Sequence, residues 1–256
     1  MIIIMKRKLF VMAAFMIASF YAAAQVDIQV QYDFGKDRKY ITTTMEMFNV
    51  DKWGNTFFFV DINSRPLCDG SSNGSIGAYT EITRAINFWQ DTKLAPLSLQ
   101  VEYYTGLGLA KDPIGYFNQG YTINDSWLFG LNYFLQSKNG NNNLTLKALY
   151  KNTINDDTSL PLQFTAIWNC YNLFTVKGLS FTGFAYFWLE DKYYPSADVK
   201  GSSTVFISEP QLWYNIGQFF NCDNLNIGGE VEITNNFFGA ASGWVVSPCL
   251  GIKWIF

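Results

Sequence analysis

Hydrophobic and polar residues alternate with a period of two along much of this chain. The alternation is clearest in segments 97–103, 162–169 and 225–233, where apolar residues recur at almost every second position, with a lapse at Ile167. A period of two places the apolar side chains on one face of a β-strand, whereas a helix requires a period of about 3.6. Clusters of Gly, Asn, Asp and Ser separate the segments and indicate turns. The pattern therefore predicts an all-β protein.

The alternating segments predict about twelve strands of roughly ten residues each. We place the strands near residues 26–34, 40–50, 54–63, 76–89, 96–105, 121–135, 142–152, 161–172, 179–190, 203–215, 225–236 and 243–256. Crossing an apolar layer about 25 Å thick at a tilt near 40° takes about ten residues per strand. The strand length and the even number both match a membrane-spanning antiparallel β-barrel.

Short and long connections tend to alternate along the chain. Tight connections are predicted at 51–53, 90–95 and 137–141, and long ones at 64–75, 106–120 and 191–202. Outer-membrane barrels have short periplasmic turns and longer external loops, with both termini on the periplasmic side when the strand number is even. The predicted fold is therefore a transmembrane antiparallel β-barrel of about twelve strands. The connection at 216–224 is longer than this rule predicts.

The alternation alone does not identify the wet face, because a soluble barrel buries its apolar face and a membrane barrel exposes it to lipid. Aromatic residues near the predicted strand ends favour the membrane barrel, since amphipathic rings prefer the membrane interface. These residues are Trp89, Tyr103, Trp127, Tyr133, Trp168 and Trp254. Arg84 lies on the same face of its strand as the apolar side chains, which would place its charge toward lipid. It therefore needs a bulge, a register change or a snorkelling side chain.

In a membrane barrel the polar face of each strand lines the lumen, and about twelve strands imply a narrow bore. Charged residues of this parity are Glu46, Asp61, Glu81, Glu102, Lys147, Lys151, Glu190, Glu209, Glu230, Glu232 and Lys253. Aromatic residues of the same parity either stack on a planar solute or fill the bore. The candidate ligand-binding residues are Glu46, Phe59, Asp61, Glu81, Glu102, Phe184, Tyr186, Trp188, Glu209, Trp213, Glu230 and Glu232.

The last predicted strand has one fully apolar face. Its apolar positions are Trp244, Val246, Pro248, Leu250, Ile252, Trp254 and Phe256. An alternating strand that ends on an aromatic residue resembles the assembly signal of bacterial outer-membrane barrels. We therefore expect the strand ending at Phe256 to engage the barrel-assembly machinery.

Composition narrows the possible chemistry. Of the 256 residues, 18% are aromatic and 15% charged, which is too aromatic and too weakly charged for a disordered chain. Histidine is absent, so Ser-His-Asp triads, Cys-His pairs and His-ligated metal sites are excluded. The four cysteines have no metal-binding spacing. We expect neither an enzyme nor a bound cofactor.

Residues 1–24 have the organisation of a secretory signal peptide. Lys6, Arg7 and Lys8 precede an apolar stretch at 9–20, and the small residues at 22–24 predict cleavage after Ala24. The mature chain, 25–256, is then a single barrel domain in the bacterial outer membrane, in contact with its lipid. The formal charge of -3 becomes more negative once these cations are removed, so a nucleic-acid partner is not expected.

Five segments, in order along the chain, resemble the Tsx-like family of nucleoside-specific outer-membrane channels. They are 44–61, 81–84, 126–131, 179–184 and 208–214, and the last resembles an uncharacterised Bacteroidetes branch of that family. The resemblance implies a twelve-stranded barrel that passes nucleosides and similar small solutes by diffusion. It also implies weak solute binding to polar and aromatic residues of the lumen. The external loops here are shorter than in that family.

Two other functions remain open at this stage. A soluble periplasmic barrel that binds a small ligand has the same alternation with its faces exchanged. An outer-membrane hydrolase is the second alternative, since Glu230 and Glu232 share a strand face at a separation suited to paired carboxylates.

Overall fold

The protein forms a single sheet of antiparallel strands that closes on itself. The structure is a computed structural model, and it describes residues 24–36, 38–65, 75–111, 118–156, 158, 160–194, 199–237 and 243–256. Its strands are β1 (Ala24–Asp33), β2 (Ile41–Asp51), β3 (Gly54–Ser64), β4 (Ser75–Ile86), β5 (Leu97–Lys111), β6 (Asn118–Gln136), β7 (Asn142–Thr153), β8 (Leu162–Tyr171), β9 (Leu179–Tyr194), β10 (Val199–Ser208), β11 (Gln211–Asn215), β12 (Leu225–Asn235) and β13 (Trp244–Ile255). Within these described ranges, no helix has the length and apolar character needed to span a membrane.

β10 and β11 are two parts of one barrel strand. The register against β9 on one side and β12 on the other continues unchanged across the break at Glu209 and Pro210. Proline has no N–H to give to the ladder, which explains the interruption. The Glu209 N–H still donates to the Phe184 carbonyl at 3.0 Å. The sheet therefore has twelve barrel strands, as the sequence predicts.

The barrel closes where the first strand pairs with the last. β1 pairs antiparallel with β13, from Asp27 opposite Ile255 to Asp33 opposite Cys249. Phe256 extends this seam, since its N–H donates to the Val26 carbonyl at 2.9 Å. The start of β1 and the end of β13 lie at the same end of the barrel, which we call the base, and the opposite end is the top.

The loops differ from the prediction more than the strands do. Pairing of β5 with β6 continues to Lys111 and Asn118, and pairing of β9 with β10 continues to Tyr194 and Val199. The predicted long connections at 106–120 and 191–202 are therefore shorter than expected. Gly108, inside the predicted connection at 106–120, lies within the pairing and leaves room for the Tyr121 ring. The predicted loop at 64–75 falls mainly outside the described residues.

The apolar face of the sheet is exposed and the polar face is buried, as a membrane barrel requires. On β13 the outward side chains are open, with Leu250 63% and Ile252 52% exposed, while the inward Ser247 and Cys249 are buried. β1 repeats this pattern, because Asp27, Gln29, Gln31 and Asp33 are buried inside the barrel. A soluble barrel would show the reverse, so the soluble alternative does not fit the structure. Most of the buried side chains are polar, and two small apolar clusters lie among them.

Arg84 lies on the outer face without a register change beside it. Its guanidinium donates to both carboxylate oxygens of Asp51, at 2.7 and 2.9 Å, and to the Thr56 hydroxyl at 2.9 Å. Asp51 belongs to the tight β2–β3 turn at the base, so the long side chain carries its charge to the barrel rim. Snorkelling is therefore the solution among the three that the sequence left open.

Some expectations concern residues beyond the described ranges. The predicted signal peptide, 1–24, lies outside them apart from Ala24, and so does Cys68. Cys170, Cys222 and Cys249 are free thiols. Among the described residues, no group of carboxylates and thiols has the geometry to hold a metal ion.

Candidate functional site

The top half of the lumen contains a cavity of about 1230 Å³, which we call the outer vestibule. Its walls come from strands β3 to β10, from β12 and from the β1–β2 connection, and its top reaches the Tyr121 region of the β5–β6 hairpin. Inward-facing residues reach the cavity because the strand period of two points alternate side chains into the lumen. The vestibule is therefore a direct product of the alternation in the sequence.

Carboxylates and aromatic rings dominate the wall of the vestibule. The carboxylates are Asp61, Glu81, Asp156, Glu190, Asp191, Glu209 and Glu232, and the rings are Tyr40, Phe59, Tyr79, Tyr104, Tyr121, Phe184, Tyr186, Trp188 and Phe237. Arg38 and Lys151 are the basic lining residues within the described part of the chain. The cavity thus offers an excess of negative charge beside flat apolar faces.

Arg38 comes from the β1–β2 connection, which folds inward over the lumen. Its guanidinium contacts Asp33 at 3.3 Å and forms two bonds to the Glu232 carboxylate, one of them at 2.8 Å. Burial lowers the pKa of Arg38, but the hydrogen bond and charge of Glu232 outweigh it and raise the pKa above its ordinary value. The connection is therefore held by a permanently charged clamp next to the β1–β13 seam.

Lys151 lies on the opposite wall, against an aromatic ring. Its ammonium group is 4.0 Å from the centre of the Trp188 ring, which is a cation–π distance. The indole N–H of Trp188 donates to Glu190 at 3.1 Å. Trp188 also packs with Val205 and Ile207, so its ring is fixed between apolar and charged neighbours.

The floor of the vestibule is a contact that crosses the lumen. Tyr186 on β9 donates its hydroxyl to Glu81 on β4 at 2.9 Å, and Tyr79 donates to the other oxygen of the same carboxylate at 2.9 Å. Tyr186 stacks on Tyr104, with ring centres 6.4 Å apart and planes 8° from parallel. Phe184 lies 4.4 Å from Tyr186 between ring centres and supports it from its own strand.

A buried ion pair lies directly below this floor. Lys147 contacts Glu102 at 2.5 Å, and Tyr104 and Gln100 donate to the same carboxylate. Gln163 donates to the Tyr104 hydroxyl at 3.3 Å. Glu102 is 1% exposed and Gln163 0%, so water does not reach these groups. Polar side chains therefore close this part of the bore.

A second group of inward residues lies nearer the base. Lys253 has its ammonium 4.6 Å from the Trp213 ring, whose N–H donates to Gln211 at 2.9 Å. Gln211 in turn donates to Glu230 at 2.9 Å. The same inner wall carries Glu46, opposite Asp27 in the β1–β2 pairing.

The structure divides the twelve candidate ligand-binding residues into two sets. Those that line the vestibule are Phe59, Asp61, Glu81, Phe184, Tyr186, Trp188, Glu209 and Glu232. The other four, Glu46, Glu102, Trp213 and Glu230, face inward but lie outside that cavity. Glu102 and Trp213 are almost fully buried by their own partners, which makes them structural groups rather than free contacts. Solute binding by the vestibule set stays a prediction.

Several residues of the site are absent from the sequence-based set, and three of them, Tyr79, Tyr104 and Arg38, make contacts described above. Tyr79 and Tyr104 share the parity of Glu81 and Glu102, so the alternation already marked them as inward, but they were not singled out. Arg38 lies in a connection, where parity gives no direction. Its place in the lumen depends on how that loop folds.

A closed antiparallel barrel with an apolar exterior and a charged interior defines a porin-like fold. Within that class, the chain belongs to a family described as a domain of unknown function, DUF5020, whose model matches residues 24–256. No curated protein matches the chain.

Several solved structures are similar to this chain. A NanC porin structure has a TM-score of 0.52 at 10% identity, with 90% of this chain and 98% of that chain covered. A KdgM porin has a TM-score of 0.45 at 10% identity, covering 91% and 99% of the two chains. The Acinetobacter baumannii outer membrane protein Omp33 is 15% identical with a TM-score of 0.38, covering 91% and 98%. The NanC likeness supports the architecture alone, and membership of the Tsx-like family stays a prediction.

Proposed function

We propose that this protein is an outer-membrane channel for the passive diffusion of small solutes. The proposal rests on one observation: apolar side chains are exposed on the outside of the barrel and charged side chains are buried inside it, the reverse of a soluble barrel. An apolar exterior fits a lipid environment, and charged side chains around an open vestibule fit an aqueous path. Residues 1–24 would direct export, and the strand ending at Phe256 would engage the barrel-assembly machinery.

The composition of the vestibule favours cationic or neutral solutes that carry a planar ring. Phe59 and Phe184 offer flat faces for stacking, while Asp61 and Glu209 provide acceptors and negative charge. Nucleosides have these features, and the resemblance of five segments to the Tsx-like family supports them as candidate solutes. Weak binding along the wall would select solutes without holding them.

Bilayer recordings test this proposal. Purified, folded protein in a planar bilayer is expected to conduct cations in preference to anions, because carboxylates outnumber basic groups on the vestibule wall. Added nucleosides are expected to reduce the current. The double variant Asp61→Asn with Glu209→Gln removes two carboxylates and keeps side chains of nearly the same size. It should therefore lower the preference for cations. Folded wild-type and variant barrels that all fail to conduct would overturn the channel proposal.

No specific observation favours the hydrolase alternative. Glu232 is bonded to Arg38 and Glu230 accepts from Gln211, so both carboxylates have structural partners. Catalysis by a free general base needs a carboxylate within reach of a bound substrate. We therefore propose a channel and not a hydrolase.

A further inference from the structure

One hydrogen bond in the lumen joins walls that the sheet keeps far apart. Glu81 lies on β4 and Tyr186 on β9, and four strands, β5 to β8, separate them along the sheet. In the other direction the path runs through β3, β2, β1, β13, β12 and the strand formed by β10 and β11. The two residues thus project from nearly opposite walls, yet Tyr186 donates to Glu81 at 2.9 Å.

This contact lies near mid-height of the barrel, at the boundary between open and filled lumen. Glu81, Tyr104 and Tyr186 line the vestibule from below. Beneath them, Gln100 and Glu102 are 2% and 1% exposed, so no open path passes on the β5 side. The bore narrows at the point where the crossing bond lies.

We propose that the Tyr186–Glu81 bond is the constriction that limits passage through the lumen, an inference that rests on the proposed channel function. The Tyr186 ring is held by Phe184 and by the stacked Tyr104, so its hydroxyl is positioned on the carboxylate. A solute must displace that hydroxyl before it moves from the vestibule to the base. Tyr186 and Glu81 are therefore the residues that determine which solutes pass.

The chemistry of the carboxylate indicates the solute class. Each oxygen of Glu81 accepts one phenol hydroxyl, from Tyr79 at one oxygen and from Tyr186 at the other. A solute with two neighbouring hydroxyl donors can replace both phenols at once, because the two oxygens of the carboxyl group lie side by side and each accepts one hydroxyl. Ring-bearing solutes with a vicinal diol should therefore pass faster than analogues that lack one hydroxyl of the diol.

The chain supplies a matched pair of variants for the test. Tyr186→Phe removes the bond that crosses the lumen and keeps the ring, whereas Tyr79→Phe removes a bond of the same length to the same carboxylate within one strand. Solute flux through proteoliposomes should rise roughly five-fold in Tyr186→Phe, the factor that about 1 kcal/mol gives. Flux in Tyr79→Phe should rise less than in Tyr186→Phe, because the bond that it removes does not cross the lumen. Tyr186→Leu, which also removes the ring, should give at least the flux of Tyr186→Phe.

Adenosine and 2′-deoxyadenosine serve as the solutes, since only adenosine carries a vicinal diol. Wild-type barrels should pass adenosine faster, and the preference should shrink in Tyr186→Phe. Equal flux in wild type, Tyr186→Phe and Tyr186→Leu would overturn the constriction and leave the channel intact. Equal rates for the two solutes in wild type would overturn the diol preference. Absence of flux in every variant, with heat-shifted gel mobility showing folded barrels, would overturn the channel function itself.

Discussion

At the scale of single residues, two ion pairs show how burial determines the contribution of a charged pair to stability. Lys147 and Glu102 form a pair whose side chains are 5% and 0% exposed, while Arg84 and Asp51 meet at the exposed rim. Removing one partner of a buried pair leaves a charge without compensation, whereas an exposed pair is screened by water. The two pairs should therefore respond very differently to the same type of substitution.

Lys147→Met should lower the free energy of unfolding by about 3–5 kcal/mol, because the Glu102 charge would remain buried. Arg84→Met should cost only about 0–1 kcal/mol. The double variant Lys147→Met with Glu102→Gln should recover most of the loss. Urea unfolding in detergent, followed by heat-shifted gel mobility, measures all three. Equal losses for Lys147→Met and Arg84→Met would contradict the burial of the first pair.

Residue parity could be predicted from the sequence, but contacts across the lumen could not. Glu81 and Tyr186 were both assigned to the inner wall by their neighbours on each strand. Their meeting depends on how the sheet closes and on the register between all intervening strands, and no local pattern contains that information. The inward position of Arg38 could not be predicted either, because residues in a connection do not alternate between the two faces of a sheet.

At the scale of elements, the strands followed from the sequence better than the connections did. A strand needs only its own alternation to be recognised, whereas a turn residue such as Gly108 also occurs where a ring needs space. The hairpins of β5–β6 and β9–β10 therefore extended into predicted loops. The connection at 216–224 exceeds a tight turn because it contains a 3-10 turn, Gly217–Phe219.

Strand β13 closes the barrel, so its final residue should matter for assembly. Deletion of Phe256 removes the backbone bond to Val26 and the terminal aromatic ring. We expect a clear drop in the folded band recovered from outer-membrane fractions, with normal synthesis of the chain. Phe256→Tyr keeps the ring and the backbone bond and serves as the control. Unchanged membrane levels after the deletion would contradict an assembly role.

At the scale of the whole molecule, the barrel combines a lipid-compatible exterior with a lumen that holds an open vestibule above and is closed on its β5 side below. The vestibule gathers carboxylates and rings from most of the strands, and the Tyr186–Glu81 contact marks its floor. Twelve strands leave a bore that a few side chains can close. Solute selection in this barrel would therefore depend on a small number of inward residues.

The central claim is that the apolar face of the sheet meets lipid and the charged face encloses water. Spin labels at single cysteines, in a chain whose four native cysteines are replaced, test it in bilayers. Labels at the outward Phe187 and Leu250 should be more accessible to oxygen, which concentrates in lipid. Labels at Asp61 and Glu209, which line the vestibule, should be more accessible to a water-soluble nickel chelate. The reverse assignment, with the nickel chelate reaching Phe187 and Leu250, would contradict the account.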